Sequence, residues 1–97
     1  MLGSMIKGYR DKRTASLGRG ERVARLPQDI QRRARMRLDR INAAVRLEDL
    51  RIPPSHCLEA LKHDRAGQWS IRVNDRWRIC FHWENGDAYD VELVDYH

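Results

Sequence analysis

The fold of this chain is decided by residues 69–86, which have the sequence WSIRVNDRWRICFHWENG. Apolar residues alternate with polar ones from 69 to 73 and again from 77 to 83, the two-residue period of a half-buried β-strand. Asn74-Asp75 is typical of a turn between two strands. Asn85-Gly86 is the strongest short signal for a β-hairpin. These residues therefore predict antiparallel strands joined by tight turns.

A further strand is expected after the hairpin, with Tyr89, Val91 and Leu93 on one face. We expect one face of the sheet to be apolar, with Trp77, Ile79, Phe81, Trp83, Val91 and Leu93. The other face would be open to solvent or to a ligand and would carry Arg72, Arg78, Cys80 and His82. Residues 58–67 are predicted to be a connector.

Residues 27–44 have the period of an amphipathic helix. Its apolar side would hold Ile30, Ala34, Leu38, Ile41 and Val45, and its opposite side Arg32, Arg33, Arg35, Arg37 and Arg40. A shorter helix is expected to start after Asp11 as N-cap. Helices that precede an antiparallel meander predict an α+β fold, with the N-terminal helices packed on one face of a small antiparallel sheet.

The length of 97 residues suits one domain. We interpret residues 1–4 as an expression scar or an upstream start and residues 5–97 as the domain. No apolar run is long enough for a membrane span, so we expect no membrane partner. With no export signal and only Cys57 and Cys80, we expect free thiols, both half-buried, in a reducing cytoplasm.

Charge is divided unevenly along the chain. Residues 5–46 hold thirteen Lys/Arg against four Asp/Glu, a net +9, and residues 47–97 hold six against ten, a net −4. Such a basic half indicates a polyanionic partner or an acidic protein partner. Arginine dominates it, and the planar guanidinium suits phosphate. We therefore expect Arg32, Arg33, Arg37, Arg40 and Arg72 to bind RNA.

Familiar catalytic and metal-binding motifs are missing from the sequence. Neither the spacing nor the number of His56, Cys57 and His63 matches a zinc site, so we expect no metal and no cofactor. RNA can still be cut, because its own 2′-OH is the nucleophile and needs only proton transfer and charge stabilisation. The sheet would bring together Lys62, Arg78, Tyr96 and His97. A histidine pair drawn from His56, His63, His82 and His97 stays open as an alternative, although His56 is predicted to be a loop residue.

Residues 61–81, LKHDRAGQWSIRVNDRWRICF, resemble the central signature of HigB-type toxins, a branch of the RelE superfamily. Residues 5–7, 85–89 and the C-terminal VDYH of residues 94–97 are also similar to that family. The resemblance implies a RelE-like fold of the microbial ribonuclease type. It further implies the toxin of a type II toxin–antitoxin system, a metal-independent endoribonuclease that cuts messenger RNA in the ribosomal A site. The implied partners are a HigA-type helix-turn-helix antitoxin, the ribosome and mRNA, with operator DNA bound only through the antitoxin complex.

The same resemblance assigns roles to individual residues. Lys62 and Arg78 would stabilise phosphate charge, Tyr96 and His97 would position or deprotonate the attacking hydroxyl, and Asp95 would orient a neighbour. Some relatives have a histidine where this chain has Glu59. Glu59 is then either a general base or a surface carboxylate, and we favour the second because a carboxylate beside the scissile phosphate needs compensating positive charge. His63, where relatives often have glycine, is a second possible acid or base.

Two functions from other classes remain open at this point. One is a non-catalytic RNA- or ribosome-binding protein of the same fold. The other is an interaction subunit whose basic half only holds an acidic antitoxin. Messenger cleavage separates the enzyme from the first, and growth arrest on expression separates it from the second.

Overall fold

The computed structural model describes residues 6–96. Its helices are α1 (Lys12–Gly18) and α2 (Gln28–Ala43), and its strands are β1 (Glu59–Ala60), β2 (Gln68–Arg72), β3 (Trp77–Glu84) and β4 (Asp87–Asp95). Short 3₁₀ turns cover Leu47–Arg51, Pro54–His56 and His63–Arg65. The strands form an antiparallel sheet in the order β1-β2-β3-β4. The expectations for residues 1–4 and for His97 lie outside the described residues.

The helices pack on one face of this sheet, which confirms the predicted α+β fold. Ile30, Ala34, Leu38 and Ile41 of α2 are buried in one cluster with the apolar residues of the sheet, Ile71, Ile79, Phe81, Val91 and Leu93. We call the uncovered side of the sheet the open face. Within residues 6–96 no helix is long and apolar enough to cross a membrane.

Local hydrogen bonds explain where the helices begin and end. Asp11 Oδ1 accepts from the Thr14 backbone N–H at 2.9 Å and caps α1, as predicted. The buried Thr14 hydroxyl in turn accepts from the Leu93 N–H at 3.0 Å and fastens α1 to β4. The placement of Val45 on the apolar side of α2 was wrong. The helix ends at Ala43, Ala44 is extended, and Val45 is 74% exposed.

A bulge in the last hairpin makes one further prediction wrong. The Asn85-Gly86 turn forms as expected, with positive φ at both residues. The register of β3 and β4 then shifts between Cys80 and His82, and Asp90 has a φ of +53°. Tyr89 consequently pairs with His82 on the open face, whereas Val91 and Leu93 are buried on the helix side. An extra residue in one strand reverses side-chain direction, and strict alternation does not predict it.

The predicted connector at residues 58–67 contains an edge strand that the sequence does not signal. Glu59 pairs with Ser70 and Ala60 with Trp69, so β1 extends the sheet by a fourth strand. Two residues are too few to show a period of two. The 3₁₀ turn His63–Arg65 then returns the chain to β2. This edge is where the candidate site is built.

His56 and Cys57, shortly before β1, also differ from expectation. His56 is fully buried, with Nδ1 3.1 Å from the Leu50 carbonyl oxygen, and Cys57 is exposed. Burial lowers the pKa of His56, with Arg37 and Arg40 acting in the same direction, although the hydrogen bond to Leu50 opposes the shift. The folded protein therefore keeps this imidazole neutral where the unfolded chain would protonate it.

The free energy of unfolding should consequently decrease as the pH falls below about 6.5, the ordinary histidine pKa. Below this pH the unfolded state binds a proton at His56 that the folded state does not bind. The free energy of unfolding therefore keeps decreasing until the pH falls below the lowered pKa of His56 in the folded protein. Thermal melts of the parent and of His56→Gln between pH 7.5 and 5 test this, and the substitution should flatten the dependence. His82→Gln, on the open face, should keep the parent's slope; a parent with no slope would contradict the assignment.

Candidate active site

A cleft opens at the β1 edge of the sheet and reaches the C-terminal end of β4. Its volume is about 420 Å³, and it is lined by Glu59, Ala60, Leu61, Lys62, His63, Asp64, Arg65 and Tyr96. We refer to it as the cleft. The strand β1, the 3₁₀ turn and the chain's last described residue thus meet at one place. Tyr96, 31 or more positions from the other lining residues, reaches the cleft because its side chain extends over β3 toward Arg78 and Cys80.

Arg78 on β3 is held beside the cleft by several partners. Its Nε donates to Ser70 Oγ and its Nη2 to the Cys57 carbonyl oxygen, both at 2.8 Å. Its Nη2 also lies 3.6 Å from Glu59 Oε1, and the side chain is 14% exposed. These contacts fix a positive charge in place before any substrate arrives.

Tyr96 lies over this arginine. The centre of its ring is 5.9 Å from Arg78 Cζ, a distance at which a cation and an aromatic face attract. Its hydroxyl is 3.8 Å from the buried Cys80 Sγ. Burial, together with Cys80, raises the pKa of Tyr96, against the opposing effect of Arg65 and Arg78. The phenol is therefore protonated at neutral pH and is suited to donate a proton or hydrogen bond.

The remaining predicted cleft residues lie on β1 and in the turn. Glu59 is opposite Ser70 in the register, on the same face of the sheet as Arg78. Lys62 and His63 are exposed on the wall of the cleft, and His63 has a positive φ of 57°. The cleft thus combines a carboxylate, a lysine, an imidazole and a phenol next to a fixed arginine.

Asp95 is the predicted site residue that the structure places elsewhere. It is opposite Trp77 in the register, so its side chain lies on the helix side of the sheet. Its carboxylate pairs with Arg76 at 2.8 Å, while the Arg76 carbonyl oxygen accepts from the Tyr96 N–H at 2.7 Å. Asp95 is thus connected to the backbone that carries Tyr96 through Arg76. His97 lies outside the described residues.

A comparison of the sequence with protein families matches residues 9–97 to the HigB-like toxins, described as RelE-like toxins of the type II toxin–antitoxin system HigB. The chain belongs to this family. It is 37% identical over 93 residues to a Proteus vulgaris protein named Endoribonuclease HigB, covering 96% of this chain and all of that protein.

Two further relatives cover less of the chain. Toxin HigB-1 of Vibrio cholerae is 37% identical over 68 residues, 70% of this chain and 72% of that protein. An uncharacterized Haemophilus influenzae protein is 31% identical over 74 residues, 76% of this chain and 73% of that protein. The family assignment makes this HigB-like chain the toxin component of a type II toxin–antitoxin system.

The arginines predicted to bind RNA divide between the two sides of this HigB-like fold. Arg32, Arg33 and Arg40 are exposed on α2, which covers the face opposite the cleft. Arg37 is half-buried, and its Nε donates to the Arg72 carbonyl oxygen at 2.8 Å. Arg72 itself lies on the open face, paired with Asp75. One RNA strand in the cleft cannot contact all five side chains.

Sequence reasoning missed the residues that hold the site from beneath and beside it. Ser70 and the Cys57 carbonyl support Arg78, and Arg65 lines the cleft. The one feature of the sequence that could have indicated Arg65 as a site residue is its position three residues after Lys62. Among residues 6–96, no group of three or more His, Cys, Asp or Glu is arranged to hold a metal ion.

Replacing Arg78 with lysine should destabilise the fold measurably. A lysine cannot donate to Ser70 and Cys57 in two directions at once, so about 1–2 kcal/mol of unfolding free energy should be lost. Urea denaturation measures this. Arg72→Lys is the matched control, because Arg72 is on the same face of the sheet and pairs with the exposed Asp75. An equal loss of unfolding free energy in both variants would show that the hydrogen bonds of Arg78 to Ser70 and Cys57 do not stabilise the fold.

Proposed function

We propose that this chain is a metal-independent endoribonuclease that cuts messenger RNA in the ribosomal A site, in the cytoplasm. Residues 5–97 form the toxin domain, and residues 1–4 lie upstream of it. A HigA-type helix-turn-helix antitoxin holds the toxin inactive, and operator DNA is bound only through that complex. The relative named Endoribonuclease HigB supports the activity, since it is similar over nearly the whole chain.

The observation that carries the proposal is the arrangement around Arg78. A guanidinium fixed by Ser70 and Cys57 lies beside the Glu59 carboxylate and beneath the Tyr96 ring. Phosphoryl transfer needs fixed positive charge where negative charge develops, and a charge already oriented costs no reorganisation during the reaction. Lys62 supplies a second positive charge on the wall of the cleft.

The reaction is an internal transesterification of RNA. The 2′-OH loses its proton to a base, and its oxygen forms a bond to the adjacent phosphorus. The bond from phosphorus to the 5′-oxygen breaks, and that oxygen takes a proton from an acid. The products are a 2′,3′-cyclic phosphate and a 5′-hydroxyl, with Arg78 and Lys62 stabilising the phosphorane between them.

Glu59 is the general base of this scheme, against the alternative favoured from sequence alone. The objection was the lack of compensating positive charge, and Arg78 supplies that charge at 3.6 Å. Tyr96 is better suited as the donor, because a phenol is protonated at neutral pH and burial raises its pKa further. His97 and His63 would assist proton transfer, and Asp95 would hold the strand end that carries Tyr96.

The arginines of α2 bind the ribosome in this proposal, whereas the cleft binds the messenger RNA. Arg32, Arg33 and Arg40 are exposed on the opposite side of the sheet. Arg32 also lines a second cleft of about 650 Å³, together with Arg22 and Arg35. Ribosomal RNA is a dense phosphate surface that such a patch binds without reading sequence. Arg37 contributes at the edge of this surface, whereas Arg72, on the open face, would contact RNA from the other side of the sheet.

The purified toxin should cut ribosome-bound mRNA much faster than free mRNA at equal concentration. Lys62→Ala and Arg78→Ala should each lower the single-turnover rate on programmed ribosomes by at least about tenfold, equivalent to about 1.4 kcal/mol of barrier. Ribosome binding should change far less. Equal rates on both substrates would remove the ribosome from the mechanism, and binding without any cleavage would favour the non-catalytic alternative.

The role of Glu59 has its own test in the pH dependence of cleavage. A general base must be deprotonated, so the rate falls at pH values below its pKa. Replacing Glu59 with histidine should move this acidic limb to higher pH, since an imidazole ordinarily loses its proton at a higher pH than a carboxyl group. Glu59→Gln should lower the rate at every pH. An acidic limb that stays in place in Glu59→His would show that another residue is the base.

A further inference from the structure

Arg65 is an arginine of the cleft to which neither the sequence pattern nor the scheme above gives a role. It ends the 3₁₀ turn His63–Arg65 and lines the cleft together with Tyr96. Its Nη1 donates to Gln68 Oε1 at 3.0 Å and lies 3.3 Å from Glu92 Oε1. Gln68 is 8% exposed and Glu92 21% exposed, so both acceptors are themselves held by the sheet.

These contacts occupy only one nitrogen of the guanidinium. Within residues 6–96, Nε and Nη2 of Arg65 donate to no protein group, and the side chain is 32% exposed. Arg78 differs, because both its Nε and its Nη2 are already bonded to the protein. An arginine fork needs two adjacent donors to bind a phosphate in bidentate fashion. Arg65 offers such a pair at Nε and Nη2, whereas the same two nitrogens of Arg78 are engaged by Ser70 and Cys57.

The charge of Arg65 also reaches the groups next to the scissile phosphate. It lowers the pKa of Tyr96 and the pKa of Cys80, in each case against the larger effect of burial. Glu92 has the opposite effect on the pKa of Cys80. Arg65 is therefore electrostatically coupled to the Tyr96 hydroxyl from within the same cleft.

We propose that Arg65 is a second catalytic arginine, which binds the non-bridging oxygens of the scissile phosphate through Nε and Nη2. Glu92 and Gln68 are positioning residues that fix Nη1, and they thereby aim the other two nitrogens into the cleft. This inference rests on the proposed ribonuclease function. The two arginines then have different roles: Arg78 is a fixed positive charge beneath Tyr96, and Arg65 binds the phosphate oxygens directly.

The test compares Arg65→Ala, Arg65→Lys and Glu92→Gln with the parent in single-turnover cleavage of ribosome-bound mRNA. Arg65→Ala should lower the rate by at least about tenfold, because it removes a donor that stabilises the transition state. Arg65→Lys should recover little, since an ammonium cannot bind two oxygens in one plane. Glu92→Gln keeps an oxygen acceptor for Nη1 and should lose only about threefold. Ribosome binding should stay within about twofold of the parent throughout.

Arg10→Ala is the matched control. Arg10 lies 3.8 Å from the same Glu92 carboxylate but is 57% exposed and does not line the cleft. It removes one positive charge near Glu92 without removing a donor from the cleft, so it should cleave at the parental rate. An equal loss in Arg10→Ala and Arg65→Ala would show a general charge effect and overturn the proposal.

A tyrosine-selective NMR titration of the isolated toxin measures the pKa of Tyr96, which should not change if Arg65 has only a structural role. The pKa of Tyr96 should rise in Arg65→Ala and stay in place in Arg10→Ala. If Arg65→Ala and Arg65→Lys both cut as fast as the parent, the role of Arg65 is overturned and the proposed function stays intact. A parent that cuts no RNA, free or ribosome-bound, overturns the proposed function and this inference with it. If Arg65→Ala does not fold, Arg65→Lys and Glu92→Gln decide between these outcomes.

Discussion

One row of paired residues runs across all four strands on the open face of the sheet: Glu59, Ser70, Cys80 and Glu92 are successive partners in the register. Each contributes to the candidate site. Glu59 pairs with Arg78, and Ser70 accepts a hydrogen bond from it. Cys80 contacts the Tyr96 hydroxyl, and Glu92 accepts a hydrogen bond from Arg65. A shift of one residue in any strand pair would turn that strand's contribution to the helix side. The helices secure the register, because the buried residues that alternate with this row must face them.

The antiparallel meander and the main helix follow from local pattern, because a period of two and a period of 3.6 are written directly in the sequence. The predictions were wrong where strand pairing in the folded protein overrides that local pattern. The extra residue at Asp90 moves Tyr89 to the open face, and β1 exists because β2 offers it a partner. The approach of Lys62 to Tyr96 was expected. The pairing of Arg65 with Glu92, 27 positions apart, depends on register and was not predictable.

The sheet separates the cleft from the exposed arginines of α2, which lie on its other side. In the proposed function the cleft binds the RNA strand to be cut. A partner on the helix side can therefore hold the toxin without entering the cleft, whether that partner is ribosomal RNA or an acidic protein segment. Competition between the two for the same arginines would link antitoxin binding to release from the ribosome.

In the proposed function, the way Arg78 is held would favour a rigid substrate. Its Nε and Nη2 are bonded to Ser70 and Cys57, so the guanidinium cannot move to follow a mobile RNA strand without losing both hydrogen bonds. In-line attack by the 2′-OH requires the reacting oxygens and the phosphorus to be aligned, and a flexible strand seldom holds that geometry. A surface that fixes both the toxin, through α2, and the messenger would deliver the phosphate to charges that are already in place. Preorganisation in the enzyme is then useful only when the substrate is preorganised as well.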